Sequence, residues 1–313
     1  MNILYKISVG FVLILGSLNI HAQQAPMYTH YMNNTLVVNP AYAGSRDALT
    51  VTAIHRTQWV GFEGAPVTQS VTMHMPLANE HTGIGLSVLN DKIGPTHTTS
   101  LVFNYAYRFN LNENSKMAFG LSAAANIFQT DLSALELDVQ NDPVFLNNIN
   151  NRVNPNIGFG AYYSRERFYA GFSIPNLLET SYSEINRDNG PSLIGKEQRH
   201  YFFIAGALFH VAENLDFKPT SYVKVTAGAP IEADFTASFI IQQRFLVGAM
   251  FRTGDAVGGL IGLDITDQLH FGYSYDWSFG LKTSRYNEGS HELVLRYDLP
   301  FSNKKQIHSP RYF

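Results

Sequence analysis

The sequence predicts an all-β chain of the outer-membrane barrel class, with about fourteen antiparallel strands and an N-terminal segment that either plugs the lumen or packs at its inner mouth. Three observations lead there. Period-two alternation recurs from about residue 47 to residue 299. The connections between alternating segments sort by length according to whether they are odd or even. After the N-terminus, no apolar run reaches the roughly 20 residues that a spanning helix needs, so a membrane role requires a barrel.

The elements follow in order. An apolar run, ISVGFVLILGSL, comes after the single lysine of MNILYK and precedes NIHA, which gives residues 1–22 the n-region, h-region and small-residue pattern of an export signal. Residues 23–46, QQAPMYTHYMNNTLVVNPAYAGS and the following Arg46, carry aromatics, Asn-Asn and Asn-Pro turn signals and few charges. Such a segment is not a solvated linker, and it should pack inside the lumen or against the inner mouth. Strands are then expected near 47–59, 66–76, 82–90, 96–109 and 115–128, followed by 155–163 and 167–175. Seven more are expected near 200–211, 214–226, 231–241, 244–253, 256–265, 268–279 and 290–299. Most match the ~9–11 residues of a tilted transmembrane strand. Residues 47–299 form one barrel domain, and 300–313 are a basic, inner-facing tail.

Side-chain parity supports the strands individually. In TTSLVFNYAYRF, Leu101, Phe103, Tyr105, Tyr107 and Phe109 share one face, while Thr98, Ser100, Asn104 and Arg108 share the other. Leu269, Phe271, Tyr273, Tyr275 and Trp277 oppose His270, Gly272, Ser274 and Asp276. Leu293, Leu295, Tyr297 and Leu299 oppose Glu292, Arg296 and Asp298. The apolar set is expected to face lipid and the polar set the lumen. HYFFIAGALFHV is apolar on both faces and marks a place where something packs inside. Gly158, Gly160, Gly171, Gly206, Gly248 and Gly272 fall on the lumen face, either for close approach of another segment or to relieve curvature.

If both termini lie on the inner side, the long connections 129–154, 176–199 and 280–289 are the fifth, seventh and thirteenth, and all face outward. The even connections are short. Outer-membrane barrels show this asymmetry, and a soluble sandwich has no cause for it.

Composition narrows the function. With 22 basic against 25 acidic residues, the chain has no charge excess to hold nucleic acid. It has no cysteine, hence no disulfide and no thiolate metal site. G-x-S-x-G, H-E-x-x-H and G-x-x-x-x-G-K-[ST] are all missing, so the reading is non-enzymatic, with no cofactor and no metal. Asp131, Glu136, Asp138 and Asp142 lack the order of a calcium loop and read as a solvated acidic loop. Arg56, Arg108, Lys218, Lys224, Glu232, Asp234, Arg252 and Arg296 fall on the lumen face, where pairing across the interior is favoured over solute selection.

Several long pieces, in order over the mature chain, resemble the PorP/SprF family of type IX secretion system membrane proteins. They include the 23–45 segment, HRTQWVGFEGAPVTQ, NDKIGPT, YAYRF, PNIGFGAYY, FYAGFSIPNLL, FKPTSYVKVTAGAP, FGYSYD and GSHELVLRYDL. The resemblance implies an outer-membrane protein of Bacteroidota with a part in secretion, surface attachment or gliding motility. The partners it implies are secreted proteins with a type IX C-terminal signal domain, periplasmic secretion or peptidoglycan-linked components, and outer-membrane lipid. Carried over by position, Trp59, Phe62, Glu63 and Pro66 lie in the first outward loop, and Asn39 and Tyr42 in the inner segment, as cargo- or partner-binding candidates. The alternative is an outer-membrane transporter of hydrophobic or small solutes, similar to fatty-acid transporters.

Overall fold

The structure, a computed structural model, describes residues 26–78, 81–132, 149–186, 190–279 and 285–301. Residues 1–22, read above as an export signal, residues 133–148, which carry Glu136, Asp138 and Asp142, and the stretch beyond 301 lie outside the described residues. The first strands are β1 (Ala48–Thr57), β2 (Val67–Pro76), β3 (Thr82–Ile93), β4 (Thr96–Asn112), β5 (Ser115–Thr130), β6 (Ile149–Arg165) and β7 (Phe168–Ile174). A hairpin follows, β8 (Ser181–Asn186) with β9 (Gly190–Lys196), and then β10 (His200–Ala207), β11 (Phe209–Ala212) and β12 (Leu215–Thr226). The last are β13 (Glu232–Ile241), β14 (Phe245–Arg252), β15 (Ala256–Asp264), β16 (Leu269–Ser278) and β17 (Ser290–Pro300).

Each strand pairs antiparallel with its neighbour in the chain, β7 passing over the small hairpin to pair with β10. β10 and β11 run along the same partner β12, broken at Leu208, and form one staggered strand. The circle closes where β1 meets β17, from Ala48 opposite Pro300 to Thr57 opposite His291. The result is a closed barrel of 14 strands, the number the alternation predicts. Closure leaves no sheet edge to face lipid.

The parity rule holds in the coordinates. Leu101, Phe103, Tyr105 and Tyr107 are 42–50% exposed, whereas Asn104 and Arg108 are buried. On β17, Leu293, Leu295, Tyr297 and Leu299 are exposed while Glu292, Arg296 and Asp298 are buried. The faces are therefore inverted relative to a water-soluble barrel, with apolar side chains outside and polar ones inside. Boundaries differ from the sequence expectation mainly at β5 and β6, which extend to 130 and back to 149 and so shorten the fifth connection. The seventh connection is not simply a loop, since it contains the β8–β9 hairpin.

Residues 26–46 lie against the inner face. They fold as a 3-10 turn (Tyr31–Asn33), one α-helical turn (Thr35–Val38) and a second 3-10 turn (Pro40–Tyr42) capped by Asn39, whose Oδ1 accepts from Ala41 N at 2.9 Å. Thr29 touches Arg56, Asp276 and Glu292, close to the long-connection ends of β1, β16 and β17. Gly44 packs on Pro76 and Gly83, at the short-connection ends of β2 and β3. The segment thus runs from one end of the interior toward the other, its first residues nearer the long connections.

Its fit is set by glycine. A Cβ on Gly83 would overlap the Ala43 carbonyl, one on Gly120 the Ala41 backbone, and one on Gly160 the Asn39 side chain. Close approach by the segment thus explains Gly160, and through Asn39 Nδ2 also Gly171. Gly248 instead meets Ser238 of its own hairpin, and Gly206 meets Tyr169. The apolar inner face of β10 has the same cause. Phe202 packs at 5.4 Å from Tyr222, whose ring stacks at 5.1 Å on Tyr31 of the segment. Tyr28, Tyr31, Leu36, Val38 and Tyr42 are all buried, and each large apolar side chain so buried contributes about 1.5–3 kcal/mol.

Gly120→Val should therefore lose the compact, heat-modifiable band on a denaturing gel or lower the urea midpoint of the folded barrel. Gly259→Val, where a Cβ meets nothing within 4 Å, should leave both unchanged. Equal behaviour of the two variants would contradict the described packing.

Candidate functional site

Two groups of side chains, at opposite ends of the barrel and joined by residues 26–46, carry the polar chemistry. At the long-connection end, residues 58–66 form a tight loop. Phe62 N donates to Trp59 O at 3.0 Å, Ala65 N to Phe62 O at 3.2 Å and Gln58 N to Pro66 O at 2.9 Å. Gly61 and Gly64 take φ of 87° and 73°, left-handed values that glycine permits. Trp59 takes φ 45° without that freedom, a strained backbone held by its surroundings. Those surroundings are other connections. Val60 N donates to Gly289 O at 2.8 Å, Glu288 N to Val60 O at 2.8 Å, Trp59 N to Ser290 Oγ at 3.2 Å, and Gly94 N to Gly64 O at 2.9 Å. The first, third and thirteenth connections are therefore one platform. Phe62, Glu63, Glu288 and Tyr286, which is 70% exposed, all present side chains to solvent there, and Gly61 packs close to Glu288. Trp59 is half-buried and Pro66 buried, so these two shape the loop more than they present a surface.

Asn39 and Tyr42 are placed differently, both buried inside the barrel. Asn39 Nδ2 donates to Ala161 O at 3.0 Å and Phe172 O at 3.3 Å, bridging β6 and β7. Tyr42 lies edge-on to His74 and Tyr162 at 5.3 and 5.4 Å. Their described contacts hold the segment to the wall. The resemblance places four candidates in the first outward loop and two in the inner segment, and the structure keeps that division, with four on the platform and two buried inside the barrel.

Beneath the platform lies a cluster that the sequence only hinted at through its lumen charges. Arg56 donates from Nη2 to Asp276 Oδ2 at 2.8 Å, and from Nη1 to Glu292 Oε2 at 3.1 Å and to Thr29 Oγ1 at 2.9 Å. Thr29 N and His30 N donate to the two oxygens of Glu292 at 2.9 and 2.6 Å, and Thr29 Oγ1 donates to Asp276 Oδ2 at 2.6 Å. Nearby, Arg252 holds Asp234 with two bonds of 2.9 and 2.8 Å. Lys224 pairs with Glu232 at 2.7 Å. The lumen charges thus form a structural ladder, and the backbone of residues 29 and 30 supplies donors that the carboxylates need.

In the seventh connection, Glu197 N donates to Thr180 O, while burial pushes the Glu197 carboxyl up to about 7. No described residue bonds its Oε2.

Residues 20–297 match the model of a family described as type IX secretion system membrane protein PorP/SprF. No curated protein matches the chain. Among solved structures, the CymD monoaromatic hydrocarbon channel is similar at TM-score 0.51 and 9% identity, covering 86% of this chain and 92% of that one. The TodX ΔS2S3 mutant channel is similar at 0.47 and 10% identity, covering 86% and 94%, and Acinetobacter baumannii Omp33 at 0.43 and 10%, covering 81% and 99%. At 9% identity the likeness to CymD speaks to barrel architecture only.

Two outcomes follow from the geometry. Arg56→Met strips two buried carboxylates of their cation and should cost roughly 3–5 kcal/mol, read as a lower urea midpoint by tryptophan fluorescence, with Arg56→Met/Glu292→Gln recovering part of it. For Glu197, the folded carboxyl holds its proton more tightly than the unfolded one at 4.5. Local stability is then lost as pH rises from about 4.5 through about 7. Protection factors of amides in the described part of the 175–199 connection, corrected for the intrinsic rise of exchange with pH, should fall over that window and stay level in Glu197→Gln.

Proposed function

Because the chain belongs to the type IX secretion system membrane protein PorP/SprF family, we propose that it is a non-enzymatic outer-membrane barrel, plugged by its N-terminal segment. In this reading it binds or anchors secreted cargo and couples it to periplasmic machinery. The family match carries the reading. The burial of residues 26–46 supports it, since a lumen occupied by bonded protein suits an anchor better than a channel. Cargo, of the class bearing a type IX C-terminal signal domain, meets the platform around Phe62 and Glu63, and the 129–154, 176–199 and 280–289 connections contribute to the grasp. Periplasmic or peptidoglycan-linked partners meet the short-connection end, where Gly44 and Arg46 leave the lumen. Aromatic side chains beside carboxylates on a preformed loop are suited to protein contact and hold no nucleophile and base set.

The transporter reading draws on one observation, an interior hollow of about 90 Å³ beside Val37, Pro40 and Asn126. It is smaller than the ~300 Å³ at which pockets enclosing a whole drug-sized ligand begin, so anchoring is the better supported. Purification from native membrane in mild detergent should bring down a large secreted protein or periplasmic components, and the barrel should be electrically silent in a planar bilayer. Exchange of the three long connections for those of a paralogue should move cargo choice with them. Open-channel conductance with no co-purifying protein would instead select transport.

A further inference from the structure

A cavity of about 210 Å³ opens at the short-connection mouth, between the β13–β14 and β15–β16 turns and the exit of the N-terminal segment. Its wall includes Arg46, Gln242, Gln243, Arg244, Asp264 and Arg296. We propose that this cavity binds a carboxylate carried on a peptide segment of a partner at that mouth.

The assignment comes from which charges are already matched. Arg46 grips Asp298 through Nε and Nη2 at 3.2 and 3.0 Å, and Thr50 adds a hydroxyl to the same carboxylate at 2.6 Å. Asp264 bonds the His270 ring at 2.7 Å. One guanidinium, Arg244, is left without a charge partner among the described residues, and a second, Arg296, shares Asp298 with Arg46. Arg296 is nine-tenths buried and its Nε makes no hydrogen bond to any described residue, although Asp298 stands 3.4 Å away. Arg244 is exposed at the rim and forms no ion pair among the described residues. A neighbouring hollow of about 40 Å³ brings the buried Lys218 to the same wall. A buried, incompletely bonded guanidinium is costly unless an anion or water completes it, and a carboxylate fits its fork.

The backbone adds a second, independent observation. The turn closed by Arg244 N to Ile241 O at 3.1 Å places Gln242 and Gln243 at φ 51° and 55°. Both central positions of such a turn prefer Asn, Asp or Gly. Two glutamines kept there at a cost in strain line the cavity, and a side-chain amide offers the donor and acceptor that a peptide backbone needs. The aspartates decide against phosphate. Asp264, Asp267 and Asp298 share the lining, and they repel a dianion about twice as strongly as a singly charged carboxylate at the same place.

The inference rests on the functional reading above only in placing a partner at this mouth. Co-purification tests that reading, and binding of small probes by the isolated barrel tests this one. Full-length barrel in detergent is titrated with acetyl-Gly-Glu-Gly-amide, acetyl-Gly-Gln-Gly-amide and inorganic phosphate. The Glu peptide should bind about tenfold more tightly than the Gln peptide, as one charge-assisted contact requires. Arg244→Gln should abolish that preference, and Lys116→Gln, an exposed charge at the same end, should leave it intact. Gln243→Gly relaxes the turn, so it should keep or raise the thermal midpoint while weakening the Glu peptide. Equal affinity for the two peptides, an equal loss in Lys116→Gln, or phosphate binding more tightly than the Glu peptide would overturn the proposal.

Discussion

Everything in this molecule depends on the pairing of β1 with β17. In lipid, an unpaired backbone N–H or C=O has no water to turn to, so a sheet that crosses a membrane must leave no open edge. The Ala48–Pro300 to His291–Thr57 register meets that demand and fixes which side chains point inward. A slip of one residue would reverse β17 relative to β1, putting Glu292 in lipid and bringing Leu293 and Leu295 into the lumen beside an unpaired Arg56. The charges of the seam therefore specify the register as much as they benefit from it.

Closure passes the problem inward. Fourteen inward faces carry more hydrogen-bonding groups than the sheet itself satisfies, and a lumen partly shut off from water makes each unmatched one costly. The protein answers with its own chain. Thr29 and His30 complete the carboxylates of Asp276 and Glu292, Asn39 bridges two backbone carbonyls, and Arg108 reaches the carbonyl of Ala43 at 3.2 Å. The glycines at 83, 120 and 160 are the reciprocal adjustment of the wall, omitting side chains where the segment runs closest. Wall and segment are thus shaped for one another.

Much of this was legible in the sequence because a period of two has only two faces. Tyr105 and Tyr107 could face lipid or a core, and the parity of connection lengths selected lipid. The strand count survived for the same reason. What the sequence could not reveal depends on contacts far apart along the chain. Thr29 and Glu292 lie at opposite ends of it, and no local pattern announces that they bond. Gly83 and Gly120 escaped notice as close-approach sites because a glycine in a strand has several causes, and only the Ala41 and Ala43 backbones reveal which applies. Asn39 and Tyr42 looked like partner-binding residues because the segment resembles its family throughout. Family resemblance reports that a residue is kept and not whether it meets another protein or its own wall. The β8–β9 hairpin was missed because its SYSEIN and GPSLIG pieces alternate weakly beside longer strands.

The arrangement also constrains how the two mouths can work together under the proposed reading. Transmission between them by conformational change needs an element with two packings of similar free energy. Residues 26–46 do not look like one, being buried, bonded to the wall at both ends and closely fitted against glycines that leave no room for a second position. The strained backbones lie instead at the mouths, at Trp59 on one side and at Gln242 and Gln243 on the other. A barrel built in this way acts as a rigid strut, holding what it binds outside at a fixed position relative to what it binds within. Coupling then comes from joint occupancy and effective concentration, which ask nothing of the interior except that it stay filled.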